Sequence, residues 1–258
     1  LMVVVSVYIG IEIMTTSFRA SIIDWVDGHI GGHIHIDKRD ELDRSLPKNL
    51  VGKIEQMDAV KAVSAYNIHR IYSKQSGQVH LFSYFDDLSV KRWSWSAVPE
   101  SEIETLVDDG WIIVSEIFAQ KNNLEPGTSA RVTLETMRGP QSFRVAGVFT
   151  DFFMGGGRAV VSRKTMKTFW GYDDITSVQI FLHDKNRIDE VTEQISEMTA
   201  SEKFIDIKSG ESIKVSILEV FDNTFIITTA LQILTAIVAL TGILNSVMAL
   251  LLERAREM

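Results

Sequence analysis

The sequence predicts an α+β fold in which a discontinuous α+β subdomain carries an inserted β-rich subdomain and is flanked by transmembrane helices. Three observations predict it. From Asn223 to Leu252 no residue is charged, and Phe225-Ile226-Ile227, Leu231, Ile233-Leu234, Ile237-Val238, Ile243-Leu244 and Leu250-Leu251-Leu252 make the stretch apolar all round. A bilayer core of roughly 30 Å takes about 20 helical residues, so this run is long enough to cross it. The opening, Leu1 to Phe18, is also apolar, with Glu12 as its one charge. Between the two, strand and helix patterns alternate over 30–88 and 158–208, whereas 89–157 reads mostly as strand.

Leu1 to Ile11 lacks the basic start and small-residue cleavage site of a signal peptide. It reads as the C-terminal part of a membrane helix. Ser17 to Val26 continues at helical spacing, with Trp25 suited to a membrane interface, until Gly31-Gly32 breaks the helix. His33 to Asp37 alternates as a strand. Pro47 suits a first helical turn ahead of Leu50, Val51, Ile54 and Met57. Val60 to Tyr72 and Val79 to Phe85 form a hairpin about Ser76-Gly77. Asp86 to Asp109 is acidic and irregular, apart from Trp93 and Trp95 on one face of a short strand. Strand Trp111 to Val114 leads to Ser115, the cap of a helix from Glu116 to Leu124 that turns Ile117, Phe118 and Leu124 inward. Ala130 to Thr136 pairs with Ser142 to Phe149 across Arg138-Gly139-Pro140. Beyond Gly155-Gly156-Gly157 come strand Ala159 to Val161, helix Arg163 to Phe169, strand Val178 to Leu182, helix Asn186 to Met198 and strand Phe204 to Ile207. Glu211 to Asp222 is amphipathic and meets the apolar run without a breaker, as one long helix.

These elements give five segments. Residues 1–26 are the end and exit of a first transmembrane helix. The α+β subdomain takes 27–88 plus 158–210, and the β-rich insertion takes 89–157. A stalk and second transmembrane helix cover 211–252, and 253–258 begins a further segment.

Hydrophobic content of 45% is ordinary for a water-soluble domain, so the 258-residue chain is not read as polytopic. Net charge is −8. Glu12 balances Arg19, and the charges of 253–258 cancel, so the acidic excess lies in the middle. Nucleic acid is excluded as a partner, because phosphate contacts need clustered Lys and Arg. The lack of cysteine excludes disulfides, thiol catalysis and Cys-rich zinc sites.

Candidate functional residues are few. Gly242, Ser246 and Ala249 form a small-residue face on the second span, suited to close helix packing. Thr228, Thr229, Gln232 and Asn245 are placed to hydrogen-bond neighbouring helices. Phe152, Phe153 and Met154 sit beside three glycines, as a loop that packs into the core or offers an apolar grip to a partner or cargo. His29, His33 and His35 resemble a metal cluster, but only Asp37 stands at ligand spacing. A solvated strand is therefore preferred and no metal or other cofactor is expected. His69 and His80 fall on one hairpin face, too far apart for one ion. Gly155 to Arg158 lacks the Lys-Ser/Thr pair of a phosphate loop. No Ser–His–Asp set appears in a recognisable setting, so no catalytic residue is assigned and the chain is not expected to be an enzyme.

The ending, ALQILTAIVALTGILNSVMALLLERAREM, resembles the second transmembrane helix of FtsX-like (MacB-type) ABC-transporter permeases. There an apolar span closes with an E-R-x-R-E motif, which Glu253, Arg254, Arg256 and Glu257 match. WIIVSEIFAQKNNLEPGTSARVTL with FRVAGVF resembles the family's inserted extracytoplasmic subdomain, and TTSFRASIIDWVDGHIGGHIHI resembles the exit of the preceding span. The resemblance implies an extracytoplasmic domain between two spans of the cell membrane, in contact with membrane lipid. It implies a permease subunit that transmits motion from a cytoplasmic ABC ATPase, which binds the ATP, for transport, lipoprotein extraction or efflux. Glu253, Arg254, Arg256 and Glu257 then lie near the ATPase. Further permease spans or a second permease copy complete the path. The alternative is the extracytoplasmic sensor domain of a two-span receptor.

Overall fold

The structure, a computed structural model, describes residues 2–38, 45–84, 93–125, 127, 129–151 and 157–257. The chain divides into two units, Asp27–Ser212 and the flanking pair Leu1–Val26 with Ile213–Met258.

Asp27–Ser212 is built on a mixed sheet. Strand β1 (Ile34–Lys38) is followed by β2 (Val60–Ser73) and β3 (Gly77–Tyr84), which form a hairpin. Next come β4 (Trp93–Ser96), β5 (Ile112–Ser115), β6 (Arg131–Thr136) and β7 (Gly139–Phe149), then β8 (Arg158–Ser162), β9 (Ser177–Leu182) and β10 (Ile205–Ser209). The spatial order is β10-β1-β9-β2-β3-β8-β5-β7-β4, with β6 also on β7. The chain leaves the first half of the sheet after β3 and returns at β8, parallel to β3. The segment in between contributes β5, β7 and β4 to the same sheet. The class is α+β, as the residue patterns predict.

Side chains alternate across a strand, so odd positions of β2 share one face. Val63 and Ala65 join Ile34, Ile36, Val178 and Ile180 in one core, closed by α2 (Leu50–Glu55) and α6 (Ile188–Met198). Ile71 joins Val79, Leu81, Val114 and Val161 in a second core under α4 (Glu116–Lys121), α5 (Arg163–Trp170) and β6. Between these cores Asn67 and Ser83 lie directly opposite each other and fully buried. Neither side chain has a hydrogen-bond partner among the described residues. On the other face Phe82, Ile113, Phe149 and Val160 pack against α3 (Glu100–Asp108).

Four local expectations are corrected. Residues 100–108 are helical rather than irregular, because Ile103 and Val107 stand one turn apart and bury against the sheet. Ile117 is 37% exposed while Phe118 takes the buried position. A bulge between Trp93 and Trp95 sends the two rings to different faces, Trp93 to the α3 side and Trp95 to the second core. Finally, Ser73 pairs with Gly77, so His69 opposes Leu81 and His80 opposes Arg70. His69 and His80 therefore point to opposite faces.

The other unit pairs α1 (Met2–His29) with α7 (Gly210–Glu257). At 1.5 Å per residue the 48 residues of α7 extend about 70 Å. Among the described residues it is the one helix long and apolar enough to cross a membrane.

Candidate functional site

The α1–α7 pair is held by a seam. Phe18 packs on Phe221 and Phe225 at ring separations of 5.6 and 6.2 Å, and Arg19 Nε donates to Asp222 Oδ1 at 3.1 Å. From Phe221 to Ala239 the less exposed residues of α7 run Phe221, Phe225, Thr228, Gln232, Thr235, Ala239, alternating steps of four and three. That is the spacing of a coiled-coil seam. Gly242, Ser246 and Ala249 continue the same line and are exposed. Ser246 Oγ donates to the Gly242 carbonyl at 3.0 Å, and no atom lies within 4 Å of where a Gly242 Cβ would stand. The stripe is thus satisfied internally and open to close approach.

Polar groups expected to reach other helices divide into two kinds. Thr229 bonds back to Phe225 of its own helix at 3.2 Å, as Thr235 does to Leu231 at 2.8 Å. Gln232 instead is buried in the seam with Nε2 unpartnered among the described residues. Glu253 and Arg254 are exposed on the last turns of α7, and Arg256 and Glu257 lie in the same helix.

Phe152, Phe153 and Met154 lie outside the described residues. The residues on either side of them are ordered by burial. Arg158 Nε lies 3.3 Å from Asp151 Oδ2, with side chains only 9% and 1% exposed. The guanidinium sits 4.2 Å from the centre of the Phe82 ring and 5.9 Å from that of Phe149. The Arg158 N–H donates to Ser115 Oγ at 2.9 Å, and that hydroxyl also caps α4. Gly157 takes φ +86°, and a Cβ there would stand 2.8 Å from the Phe118 Cβ. Sequence reading missed this ion pair. Its partners are separated by the loop itself, and neither belongs to a motif.

Of the three histidines near the start of the sheet, His35 is buried, His33 is half-buried and the His29 side chain lies outside the described residues. His35 is 5% exposed and its Nε2 donates to the Gly32 carbonyl at 3.1 Å. Burial holds its pKa below the ordinary imidazole value. His33 Nδ1 accepts the Leu182 N–H at 2.9 Å. No group of three His, Asp or Glu is placed to hold a metal among the described residues.

A second polar cluster was also missed. Asp174 receives His69 Nε2 at 3.1 Å and Ser45 Oγ at 3.3 Å, while Tyr172 stacks on the His69 ring at 3.6 Å. The His69 hydrogen bond holds the Asp174 carboxyl below its usual pKa. A hydrolytic triad needs the imidazole on the hydroxyl. Here the carboxylate stands between them, so the cluster clamps β2 to the residue 45 and residue 174 loops and activates no nucleophile.

No protein-family model matches the chain. A curated relative, an uncharacterised ABC transporter permease protein of Mycobacterium tuberculosis, is 26% identical over 267 residues, covering 100% of this chain and 31% of the relative. The chain thus spans about a third of the length of that relative. Among solved structures, the extracellular domain of the noncanonical ABC-type transporter YknZ from Gram-positive bacteria aligns with 68% of this chain and 99% of its own, at TM-score 0.46 and 14% identity. The periplasmic region of MacB from Actinobacillus actinomycetemcomitans aligns with 71% of this chain and 91% of its own, also at 0.46 and 14%.

Proposed function

We propose that this chain is a section of an ABC-transporter permease, with α1 and α7 as membrane helices and Asp27–Ser212 outside the cytoplasm. The observation that carries the reading is sequence similarity to a permease along the whole chain rather than at one motif. The charge-free length of α7, closed by Glu253-Arg254-Ala255-Arg256-Glu257, supports it. In this reading a separate ABC ATPase binds and hydrolyses ATP at the cytoplasmic end. The chain carries no enzymatic step of its own. It passes the displacement through α7 to the extracytoplasmic sheet. Gly242, Ser246 and Ala249 receive a further permease helix or a second copy, with lipid around the remainder. The loop bearing Phe152, Phe153 and Met154 grips an apolar cargo or partner protein, held at its base by Asp151 and Arg158.

Membrane topology tests the reading. The 258 residues contain no cysteine, so single-cysteine variants report cleanly in a cysteine-free full-length background. In intact cells a membrane-impermeant maleimide should label Ser101→Cys on α3 and spare Ala255→Cys at the end of α7. Labelling of both, or of Ala255→Cys alone, contradicts the proposed orientation.

A further inference from the structure

The chain enters the sheet through Gly31-Gly32-His33 and leaves it through Ser209-Gly210, and at this junction His33 and Gly210 extend the antiparallel β1–β10 register one step past Ile34 and Ser209. The Gly210 N–H donates to the His33 carbonyl at 2.9 Å. A Cβ on Gly210 would collide with the Gly32 carbonyl oxygen, and one on Gly32 would stand 3.0 Å from Gln179 Cβ. The junction therefore excludes a side chain at Gly210, and one at Gly32 would crowd Gln179. Two imidazoles pin it to the sheet. A backbone amide can only donate, so the Leu182 N–H requires a lone pair on His33 Nδ1. His33 must be neutral with its proton on Nε2. A carbonyl can only accept, so His35 donates from Nε2 to Gly32. The remainder of the junction is backbone, with the His33 N–H on the Ile180 carbonyl at 2.7 Å.

We propose that His33 is a proton-sensitive latch on this junction: a proton on Nδ1 turns the acceptor of the Leu182 N–H into a donor, and β9 is released from the segment joining α1 to β1. The two histidines differ in what a proton changes. His35 keeps its donor when protonated, whereas His33 loses its acceptor. The charges facing His33 are Lys61 from β2 and Lys185 from the turn after β9, with the Phe181 ring edge-on at 6.4 Å. Around His35 stand Asp37 on its own strand, Gln179 opposite on β9, and Lys208 opposite on β10, itself 3.3 Å from Asp206. Burial and the two lysines keep His33 below the ordinary imidazole pKa. A histidine whose pKa is lowered by folding stabilises fully above its unfolded value, near 6.5. That contribution falls as pH drops from about 6.5 toward the lowered value. The latch is closed at neutral pH and opens as pH falls through the lowered value. This inference does not rest on the transport reading.

Amide exchange at Leu182 in the full-length protein, corrected for intrinsic rates, tests it. Protection should hold from pH 8 to 7 and then fall by up to about tenfold per pH unit below about 6.5. His33→Asn places an amide oxygen near the Nδ1 position, so it should keep protection and remove the pH dependence. His33→Phe should lose protection at every pH. His35→Gln keeps a donor at Nε2 and should leave the fall at Leu182 in place. Protection that does not change with pH in the natural protein overturns the latch. So does a fall that persists in His33→Asn, or one that vanishes in His35→Gln. If His33→Phe fails to fold, the pH series on the natural protein and on His33→Asn still decides.

Discussion

Asp151 and Arg158 form a buried ion pair between β7 and β8. Both charges are out of water, so their attraction is little screened, and removing one leaves the other buried without a counter-charge. Asp151→Ala should therefore destabilise the domain by about 3–5 kcal/mol. Asp151→Leu with Arg158→Met, which replaces both charges by apolar groups, should cost clearly less. Denaturant or thermal unfolding of the purified protein checks both. Equal losses in the two variants would mean that the charge pair is not the stabilising feature. Asp174 gives a pH signature. Its pKa is depressed by His69, so its contribution is present above the ordinary carboxylate value near 4 and is lost as pH falls through the lowered value. The stability gap between the natural protein and Asp174→Asn should stay open down to about pH 4 and narrow below it. A gap unchanged at pH 2 would contradict the clamp.

At the scale of elements, Ser115 ends β5, caps α4 and accepts the first N–H of β8. Ser115→Ala removes the cap and leaves the buried Arg158 N–H without that acceptor, for a loss of about 1–3 kcal/mol. Thr at the same position should restore most of it, and urea unfolding of the three proteins makes the comparison. Ser115 was legible in the sequence because capping is local, set by one residue and the three after it. The same holds for the β2–β3 hairpin, for α5 behind Ser162, and for the run of α6 and α7. What was not legible depended on partners distant in sequence. The bulge that splits Trp93 from Trp95 is set by β7. The hairpin register that separates His69 from His80 is set by which faces are buried. The His33 hydrogen bond depends on Leu182 of β9, far along the chain. Helix α3 is a different case. Ile103, Leu106 and Val107 carry a helical stripe, but the acidic residues around it obscured the pattern. The seam of α7 was also readable, as steps of four and three from Phe221 to Ala249. The small face Gly242, Ser246, Ala249 is its continuation rather than a separate feature.

The whole molecule combines a mixed sheet, entered at Gly32 and left at Gly210, with a helix that is apolar for most of its length and ends in Glu253-Arg254-Ala255-Arg256-Glu257. Strand β10, the edge strand paired with β1, runs directly into α7 along the chain. If the loop between Asp151 and Arg158 grips cargo, Phe152→Ser with Phe153→Ser and Met154→Ser should abolish transport while leaving the unfolding midpoint of the domain unchanged. Transport that persists in this triple variant would return those residues to a packing role. The most direct test of the account is purification of the full-length protein from mild detergent, with mass spectrometry of what accompanies it. The account predicts an ABC ATPase, with retention weakened by Arg254→Glu combined with Arg256→Glu. A histidine kinase or response regulator in place of any ATPase would contradict it and make the chain a sensor.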